Sequence, residues 1–164
     1  TVSFRGYDIS REVRKRRPGL YERLFGDVDM CFPNSEFFGK SLLALGCPPE
    51  KVRVQHSGID VAAFPFRGVS RLDPARLKLL SVGRLVEKKG FSTALAAVAA
   101  LASRYPGLEY TIVGAGPLRG RLLHEARILG IEERVSLPGP LTQEAIRDRL
   151  AQSSVMISAS VTVA

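Results

Sequence analysis

Two basic side chains stand five residues apart in a short polar loop of the sequence. The loop spans residues 83–90, follows an apolar run, leads into an amphipathic segment and contains Arg84 and Lys89. Both cations therefore lie beside the start of a predicted helix, whose first amide groups also attract anions. Gly83 has no side chain and lets a ligand approach the backbone. The pattern favours a diphosphate site, and solvated charges on a surface loop are the alternative interpretation.

A second loop with glycines occupies the equivalent place one strand later. Gly114 and Gly116 flank Ala115 and precede Pro117, a favoured first residue of a helix. The amide groups of this loop are expected to be unpaired and to suit an anion, whereas the alternative is an ordinary tight turn. Two such loops carry more weight than one, because the carboxyl ends of neighbouring parallel strands meet at one edge of a sheet.

A regular alternation of apolar strands and amphipathic helices positions these loops. Residues 91–102 repeat apolar side chains at steps of three and four, which is typical of a helix packed on one face. Thr142 is placed to cap a later helix, with Leu141 and Ile146 as a hydrophobic staple. The pattern predicts an α/β fold: an open parallel sheet with helices on both faces and ligands at the carboxyl ends of the strands. The strands are expected at residues 77–82, 110–113, 135–137 and 155–158.

The first 66 residues are less regular. Their patterns favour a helix near 11–25, a strand near 28–32, a helix near 35–45 and a strand near 52–55. A stretch with turn-forming residues and no periodicity follows, which indicates a linker. We therefore expect the tail of one α/β domain over 1–60, a linker over 61–75 and most of a second α/β domain over 76–164.

The chain is basic, since 24 Lys and Arg residues against 16 Asp and Glu residues give a net charge of +8 over 164 residues. Residues 1–24 contribute +4 and residues 67–90 contribute +5, so the rest of the chain is close to neutral. Basicity confined to two short segments disfavours a nucleic-acid-binding face, and these segments lack the interleaved aromatic side chains that stack on bases. No nucleic-acid partner is expected, and a nucleic-acid-binding module is the weakest alternative.

The motifs disfavour several other classes of site. Arg119 occupies the third glycine position of a dinucleotide fingerprint, and no phosphate-binding loop of the nucleotide triphosphatase type occurs. Cys31 and Cys47 belong to no Cys-x-x-Cys pair, which disfavours structural zinc and a disulfide scaffold and favours a reducing cytosol. The longest apolar run, 94–102, has nine residues, against about 20 in a membrane-spanning helix.

Three segments resemble the donor-binding domain of family-4 glycosyltransferases. They are residues 82–90, 112–118 and 135–141, and their order and spacing match as well. Residues 54–60 resemble the segment between the two domains of these enzymes, and the Gly-Cys-Pro at 46–48 is similar to the colanic-acid and exopolysaccharide biosynthesis type. The resemblance implies the GT-B fold, with two Rossmann-like domains, and a retaining reaction that uses a nucleotide diphosphate-sugar.

The resemblance also implies roles for individual residues. Arg84 and Lys89 match the basic pair that holds the donor diphosphate and stabilises its charge as the glycosidic bond breaks. Gly114 and Gly116 match the glycine turn beside the nucleotide, and Leu141 matches a position that packs near the base. The implied catalysis is electrostatic stabilisation of the leaving group, with the nucleotide diphosphate-sugar as substrate and neither a metal ion nor another cofactor expected.

The acidic residues depart from the family pattern. The E-x7-E motif of the family should follow the strand at 155–158, yet the last acidic residue is Asp148 and the sequence ends at Ala164. We therefore expect a fragment, inactive by itself, of a longer glycosyltransferase of the hexosyltransferase type. The resemblance implies a saccharide or lipid-linked acceptor and a part in cell-surface polysaccharide biosynthesis. A non-catalytic module that binds a nucleotide-sugar or a protein partner stays open as the alternative.

A run of four basic residues, 14–17, bears on location in the cell. Such a run is usually a solvated face, but enzymes of this family often act on lipid-linked acceptors, so contact with anionic headgroups is a second interpretation. We expect a cytoplasmic protein. A cytoplasmic protein with peripheral contact at the inner membrane face is the alternative expectation.

Overall fold

A computed structural model describes residues 1–5, 19–65 and 73–161 of the chain. These residues form two compact units, Thr1–Ala63 and Phe64–Ala164, and each unit has a parallel sheet of its own. The basic run at the beginning of the chain, most of the first predicted helix and much of the predicted linker lie outside the described residues. Within the described part, no helix is long and apolar enough to cross a bilayer.

The first unit is built on two parallel strands and two helices. The second helix begins where the sequence predicts it, because Ser35 caps it by accepting a hydrogen bond from the Phe38 amide (3.3 Å). Buried apolar side chains, among them Phe4 and Leu42, pack between the helices and the sheet. The elements are β1 (Val2–Phe4), α1 (Glu22–Asp27), β2 (Cys31–Pro33) and α2 (Glu36–Ala44).

The strand predicted near 52–55 is reduced to a single bridge between Val52 and Cys31. The backbone still runs beside β2, since the Arg53 amide donates to the Cys31 carbonyl (3.0 Å) and the Gln55 amide donates to the Pro33 carbonyl (2.9 Å). β2 itself ends at Pro33, so the neighbouring segment has no longer strand to pair with.

The second unit contains a four-stranded sheet in which every strand is parallel to its neighbours. The spatial order is β5-β4-β3-β6, so the α/β alternation predicted from the sequence is confirmed. The last strand is shorter than predicted because the chain leaves the sheet after two paired residues, Val155 and Met156. The strands are β3 (Lys78–Val82), β4 (Glu109–Val113), β5 (Val135–Gly139) and β6 (Val155–Met156).

Three helices connect these strands. The predicted cap at Thr142 is confirmed, because its hydroxyl oxygen accepts a hydrogen bond from the Ala145 amide (3.2 Å). The middle helix begins two residues after Pro117, the predicted start, since that proline belongs to the turn before the helix. The helices are α3 (Phe91–Ala102), α4 (Arg119–Ile128) and α5 (Gln143–Gln152).

All four strands are parallel, but the direction in which successive strands are added to the sheet reverses between β3 and β6. The connections through α3 and α4 each step one strand to the same side, whereas the connection through α5 returns past β4 and β3 to the opposite side. Since such connections are right-handed, α3 and α4 cover one face of the sheet and α5 covers the other. Ligands of open α/β sheets bind at the carboxyl ends of the strands beside such a reversal.

A polar network lies inside the core of the second unit. Ser81 and Tyr110 are almost completely buried, and their hydroxyl oxygens are 2.8 Å apart. The Ser81 hydroxyl donates to the carbonyl of Ile157 (2.8 Å), so the Tyr110 hydroxyl is the donor to Ser81. Burial raises the pKa of Tyr110 above its ordinary value, against the smaller effect of the bond to Ser81. The network links β3, β4 and the chain that follows β6.

Removing the central hydroxyl of this network is expected to cost more stability than removing the terminal one. Ser81→Ala takes away the partners of both the buried Tyr110 hydroxyl and the Ile157 carbonyl, which costs about 1–3 kcal/mol of unfolding free energy for each group left unpaired. Tyr110→Phe leaves the bond from Ser81 to Ile157 in place and costs about 1 kcal/mol or less. Denaturant unfolding followed by circular dichroism measures both, and an equal or larger cost for Tyr110→Phe would contradict the network.

Candidate functional site

The loop that carries the two cations, residues 83–90, lies at the carboxyl end of β3, and we call it the basic loop. Its first residues continue the pairing of β3 with β4: the Gly83 amide donates to the Val113 carbonyl (2.9 Å), and the Leu85 amide donates to the Ala115 carbonyl (2.8 Å). The Leu85 side chain is fully buried in the core. The beginning of the basic loop is therefore fixed by the backbone and by one apolar anchor.

The glycine turn, residues 114–116, packs directly against the basic loop. A Cβ atom on Gly114 would lie 1.9 Å from the Gly83 carbonyl oxygen, and one on Gly116 would lie 2.4 Å from the Leu85 carbonyl oxygen. Real side chains do not approach a backbone oxygen so closely. Glycine at both positions therefore allows the two loops to lie side by side at the strand ends.

The expectation of free amides in the glycine turn is wrong for Gly114. The Gly114 amide donates to the Gly139 carbonyl (2.9 Å), because a register shift between β4 and β5 makes Gly139 the partner of Val113 at the end of β4. The turn thus contributes close packing at this edge. The positive charge at the edge comes from the side chains of the basic loop.

Lys89 and Gly83 are brought together within the basic loop. A Cβ atom on Gly83 would lie 3.6 Å from Lys89 Cε and 3.7 Å from Lys89 Cδ, so the lysine side chain crosses the glycine. Lys89 is half-buried and Arg84 is exposed. In the part of the chain that the structure describes, neither cation forms an ion pair. Both are available to an anion at the carboxyl end of β3.

The chain after β6, residues 157–161, runs along the far end of the basic loop. The Val161 amide donates to the Lys88 carbonyl (2.9 Å). Gly90 adopts the left-handed conformation (φ +64°), and a Cβ atom there would lie 1.9 Å from the Ala159 carbonyl oxygen. This segment therefore contacts the basic loop at the point where the strand order reverses.

An arginine of α4 connects the basic loop to the helical layer. Arg121 Nη1 lies 2.6 Å from Glu87 Oε1, and Arg121 Nε lies 2.7 Å from Glu125 Oε1. The side chain of Ser92, near the start of α3, helps to lower the pKa of Glu125. The sequence predictions missed this network. The four-residue spacing of Arg121 and Glu125 is a helical signal for one of its pairs, whereas Arg121 and Glu87 are 34 residues apart and carry no local signal.

Leu141, the remaining predicted site residue, lies at the same edge of the sheet. It is half-buried, follows the end of β5 and directly precedes the cap of α5. The structure thus brings Gly83, Lys89, Gly114 and Gly116 together, with Arg84 beside them, and places Leu141 two strands away along the edge.

Neither histidine belongs to the basic loop or to the glycine turn. His56 belongs to the first unit, is exposed, and its Nδ1 lies 3.1 Å from the Asn34 carbonyl oxygen. His124 is exposed on α4. Within residues 1–5, 19–65 and 73–161, no three His, Cys, Asp or Glu side chains come together as a metal site would need.

A cavity of about 530 Å³ lies at the opposite edge of the second unit's sheet. Arg134 spans part of it, donating hydrogen bonds to the carbonyls of Pro106 and Leu108. The cavity sits at the amino ends of β4 and β5, where open α/β sheets do not place their ligands. Its lining residues are Pro106, Gly107, Leu108, Glu109, Gly130, Ile131, Glu132, Glu133 and Arg134.

Comparison with known families identifies the class of protein. The family model described as glycosyl transferases group 1 matches residues 65–162. The match covers more than half of the chain, so the chain belongs to this family, and the resemblance seen in the sequence is confirmed.

Two of the curated relatives are bacterial glycosyltransferases named for the biosynthesis of colanic acid and amylovoran. A colanic acid biosynthesis glycosyltransferase, WcaL of Salmonella typhimurium, is 33% identical over 160 residues, which are 97% of this chain and 39% of the relative. The amylovoran biosynthesis glycosyltransferase AmsK of Erwinia amylovora is 35% identical over 162 residues, which are 98% of this chain and 40% of the relative. The chain thus spans about two fifths of the length of these relatives.

Solved structures share the fold. Anabaena Alr3699/HepE in complex with UDP has a TM-score of 0.74 at 18% identity, over 98% of this chain and 47% of that one. The same protein in complex with UDP-glucose has a TM-score of 0.71 at 17% identity, over 96% of this chain and 46% of that one. At this level of identity the likeness shows the fold, and the α/β architecture is that of one half of a GT-B protein.

The close approach at Gly114 generates a prediction on stability. Gly114→Ala is expected to lower the free energy of unfolding by about 3 kcal/mol or more, since the new Cβ atom forces the backbones of two strand ends apart. Gly120→Ala is the matched control, because a Cβ atom there meets nothing within 4 Å and an alanine in α4 stabilises by up to about 1 kcal/mol. Denaturant unfolding measures both variants, and similar effects of the two would contradict the packing role of Gly114.

The network at Glu125 generates a prediction on pH. Partial burial opposes ionisation of this carboxyl, but the interactions with Ser92 and Arg121 outweigh it and hold the pKa below its ordinary value of 4.5. A lowered pKa contributes stability above the ordinary value, and this contribution is lost as the pH falls through the folded-state pKa. Glu125→Gln is therefore expected to be less stable than the wild type at about pH 6, with the difference shrinking towards about pH 3. A difference independent of pH in denaturant unfolding would contradict this account.

Proposed function

We propose that the chain contains the donor-binding part of a retaining glycosyltransferase, which moves a sugar from a nucleotide diphosphate-sugar to a saccharide or lipid-linked acceptor in cell-surface polysaccharide biosynthesis. The observation that supports this most strongly is a pair of cations, Arg84 and Lys89, that form no ion pair among the described residues and lie beside the bare backbone of Gly83 at a strand end. Membership of the glycosyl transferases group 1 family supports the same chemistry.

In this proposal the diphosphate of the donor binds at the basic loop. Lys89 extends across Gly83, where no Cβ atom separates a ligand from the backbone, and Arg84 is exposed at the start of the loop. A guanidinium can bind two phosphate oxygens at once, whereas an ammonium acts as a point charge. The two side chains therefore supply complementary contacts to one diphosphate.

The same contacts serve catalysis. When the bond between the sugar and the diphosphate breaks, negative charge builds on the leaving diphosphate. Cations that are already in place stabilise that charge more in the transition state than in the bound substrate, which accelerates the reaction. The acceptor hydroxyl then attacks the oxocarbenium-like sugar on the face that the diphosphate leaves, which gives retention. This route depends on stabilisation of the phosphate more than on a protein nucleophile.

The rest of the donor lies along the edge of the sheet. The glycine turn, whose only side chain is the methyl group of Ala115, suits the part of the nucleotide next to the diphosphate. Leu141 offers an apolar surface near the end of β5, and we assign it to the base. The diphosphate contacts lie at β3 and the nucleotide contacts lie at β4 and β5.

The two units take different roles in this proposal. The part over 76–164 binds the donor, the part over 1–60 belongs to the acceptor-binding domain, and 61–75 joins them. Relatives such as WcaL are more than twice as long as the chain, and the complete reaction is assigned to a protein of that length.

Calorimetric titration with UDP and GDP tests the proposal. Arg84→Ala and Lys89→Ala are each expected to weaken UDP binding by about tenfold or more, since a hydrogen bond to a charged group contributes about 1.5–3 kcal/mol. Arg149→Ala removes an exposed arginine on α5 as the matched control, and it should bind UDP like the wild type. Equal affinities of the wild type, Arg84→Ala and Lys89→Ala would remove the basic loop from the site.

A further inference from the structure

The basic loop contains one carboxylate among its cations. Glu87 lies between Arg84 and Lys89 in the sequence, and it is followed directly by Lys88. A carboxylate so close to two cations can pair with either of them, and it then competes with any anionic ligand. Whether the loop binds a diphosphate well therefore depends on where the Glu87 side chain is held.

The structure holds Glu87 on the side of α4. Its Oε1 atom lies 2.6 Å from Arg121 Nη1, which is the short distance of a charge-assisted hydrogen bond. The contact joins the basic loop to a helix 34 residues further along the chain. The carboxylate of Glu87 is therefore engaged by a cation that is not part of the loop.

Arg121 is itself held in place. Its Nε donates to Glu125 Oε1 (2.7 Å), one helical turn further on, and the Glu125 side chain is only 22% exposed. Exposed ion pairs are usually weak because two long side chains must be ordered to form them. Here the forked guanidinium uses separate N–H groups for two carboxylates, and its contact with Glu125 orders it for the contact with Glu87.

We propose that Arg121 is a positioning residue of the diphosphate site: it engages Glu87, draws the only carboxylate of the basic loop away from Arg84 and Lys89, and so leaves both cations for the phosphate oxygens. The inference rests on the proposed function. It adds a residue that does not touch the donor and acts through the charge of Glu87.

A purely mechanical role makes a different prediction. If the ion pair only braced the loop, breaking it from either side would have the same effect, so Glu87→Gln and Arg121→Gln would weaken binding equally. In the proposed role the two substitutions change the affinity by amounts that differ in sign or size. Arg121→Gln releases a competing negative charge, whereas Glu87→Gln removes that charge.

The experiment is a calorimetric titration of the 164-residue chain with UDP and, separately, with inorganic pyrophosphate. Arg121→Gln is expected to weaken both by about fourfold, as for one competing charge at about 5 Å in a water-like dielectric. Glu87→Gln should bind within about twofold of the wild type or more tightly, and adding Glu87→Gln to Arg121→Gln should restore the affinity. Arg121→Lys keeps the charge without the forked guanidinium, and its affinity should lie between those of the wild type and Arg121→Gln.

Arg127→Gln is the matched control on the same helix. It is the same kind of substitution and breaks an exposed ion pair, Arg127 Nε to Glu132 Oε2 at 3.0 Å, that does not involve the basic loop. It should bind both ligands like the wild type. Thermal melting of every variant confirms that each is folded.

Three results would overturn the inference: unchanged affinity in Arg121→Gln, equal losses in Arg121→Gln and Glu87→Gln, or no recovery in the double variant. The failure of the proposed function is distinguishable. If the wild type and Arg84→Ala bind UDP equally, or neither binds it at millimolar concentrations, the site itself is wrong. If Arg84→Ala binds more weakly but Arg121→Gln binds like the wild type, only the role of Arg121 is wrong.

Discussion

The close contact between two backbones at the ends of β3 and β4 is the constraint on which the candidate site depends. Gly114 lies so near the carbonyl oxygen of Gly83 that a Cβ atom would come within 1.9 Å of it. This contact fixes the spacing of the two loops that follow these strands. Because the basic loop begins at Gly83, its position depends on a contact that leaves no room for a side chain at Gly114.

Three attachments converge on the basic loop from this starting point. The glycine turn holds its beginning, the chain after β6 holds its end through the Lys88 carbonyl, and Arg121 holds its middle through Glu87. The attachments use the backbone of the loop and its one carboxylate. They leave Arg84 and Lys89 without ion pairs among the described residues, which is the condition for an anion site.

Local patterns in the sequence were sufficient to predict most of the helices and strands of the second unit. The apolar run before Gly83 and the stripe over 91–102 correspond to β3 and α3, because strand and helix periodicities are properties of neighbouring residues. Contacts between residues far apart in the sequence could not be predicted from such local patterns. The free amide expected at Gly114 is paired with Gly139, and the Glu87–Arg121 pair joins a loop to a helix, and neither has a local signature.

The central claim is that a diphosphate binds between Arg84 and Lys89. A crystal structure of the chain soaked with UDP tests it most directly. The account predicts phosphate oxygens within hydrogen-bond distance of both side chains, with the uridine lying along the edge formed by β4 and β5. Phosphate bound elsewhere, for instance in the cavity beside Arg134 at the opposite edge of the sheet, would contradict it.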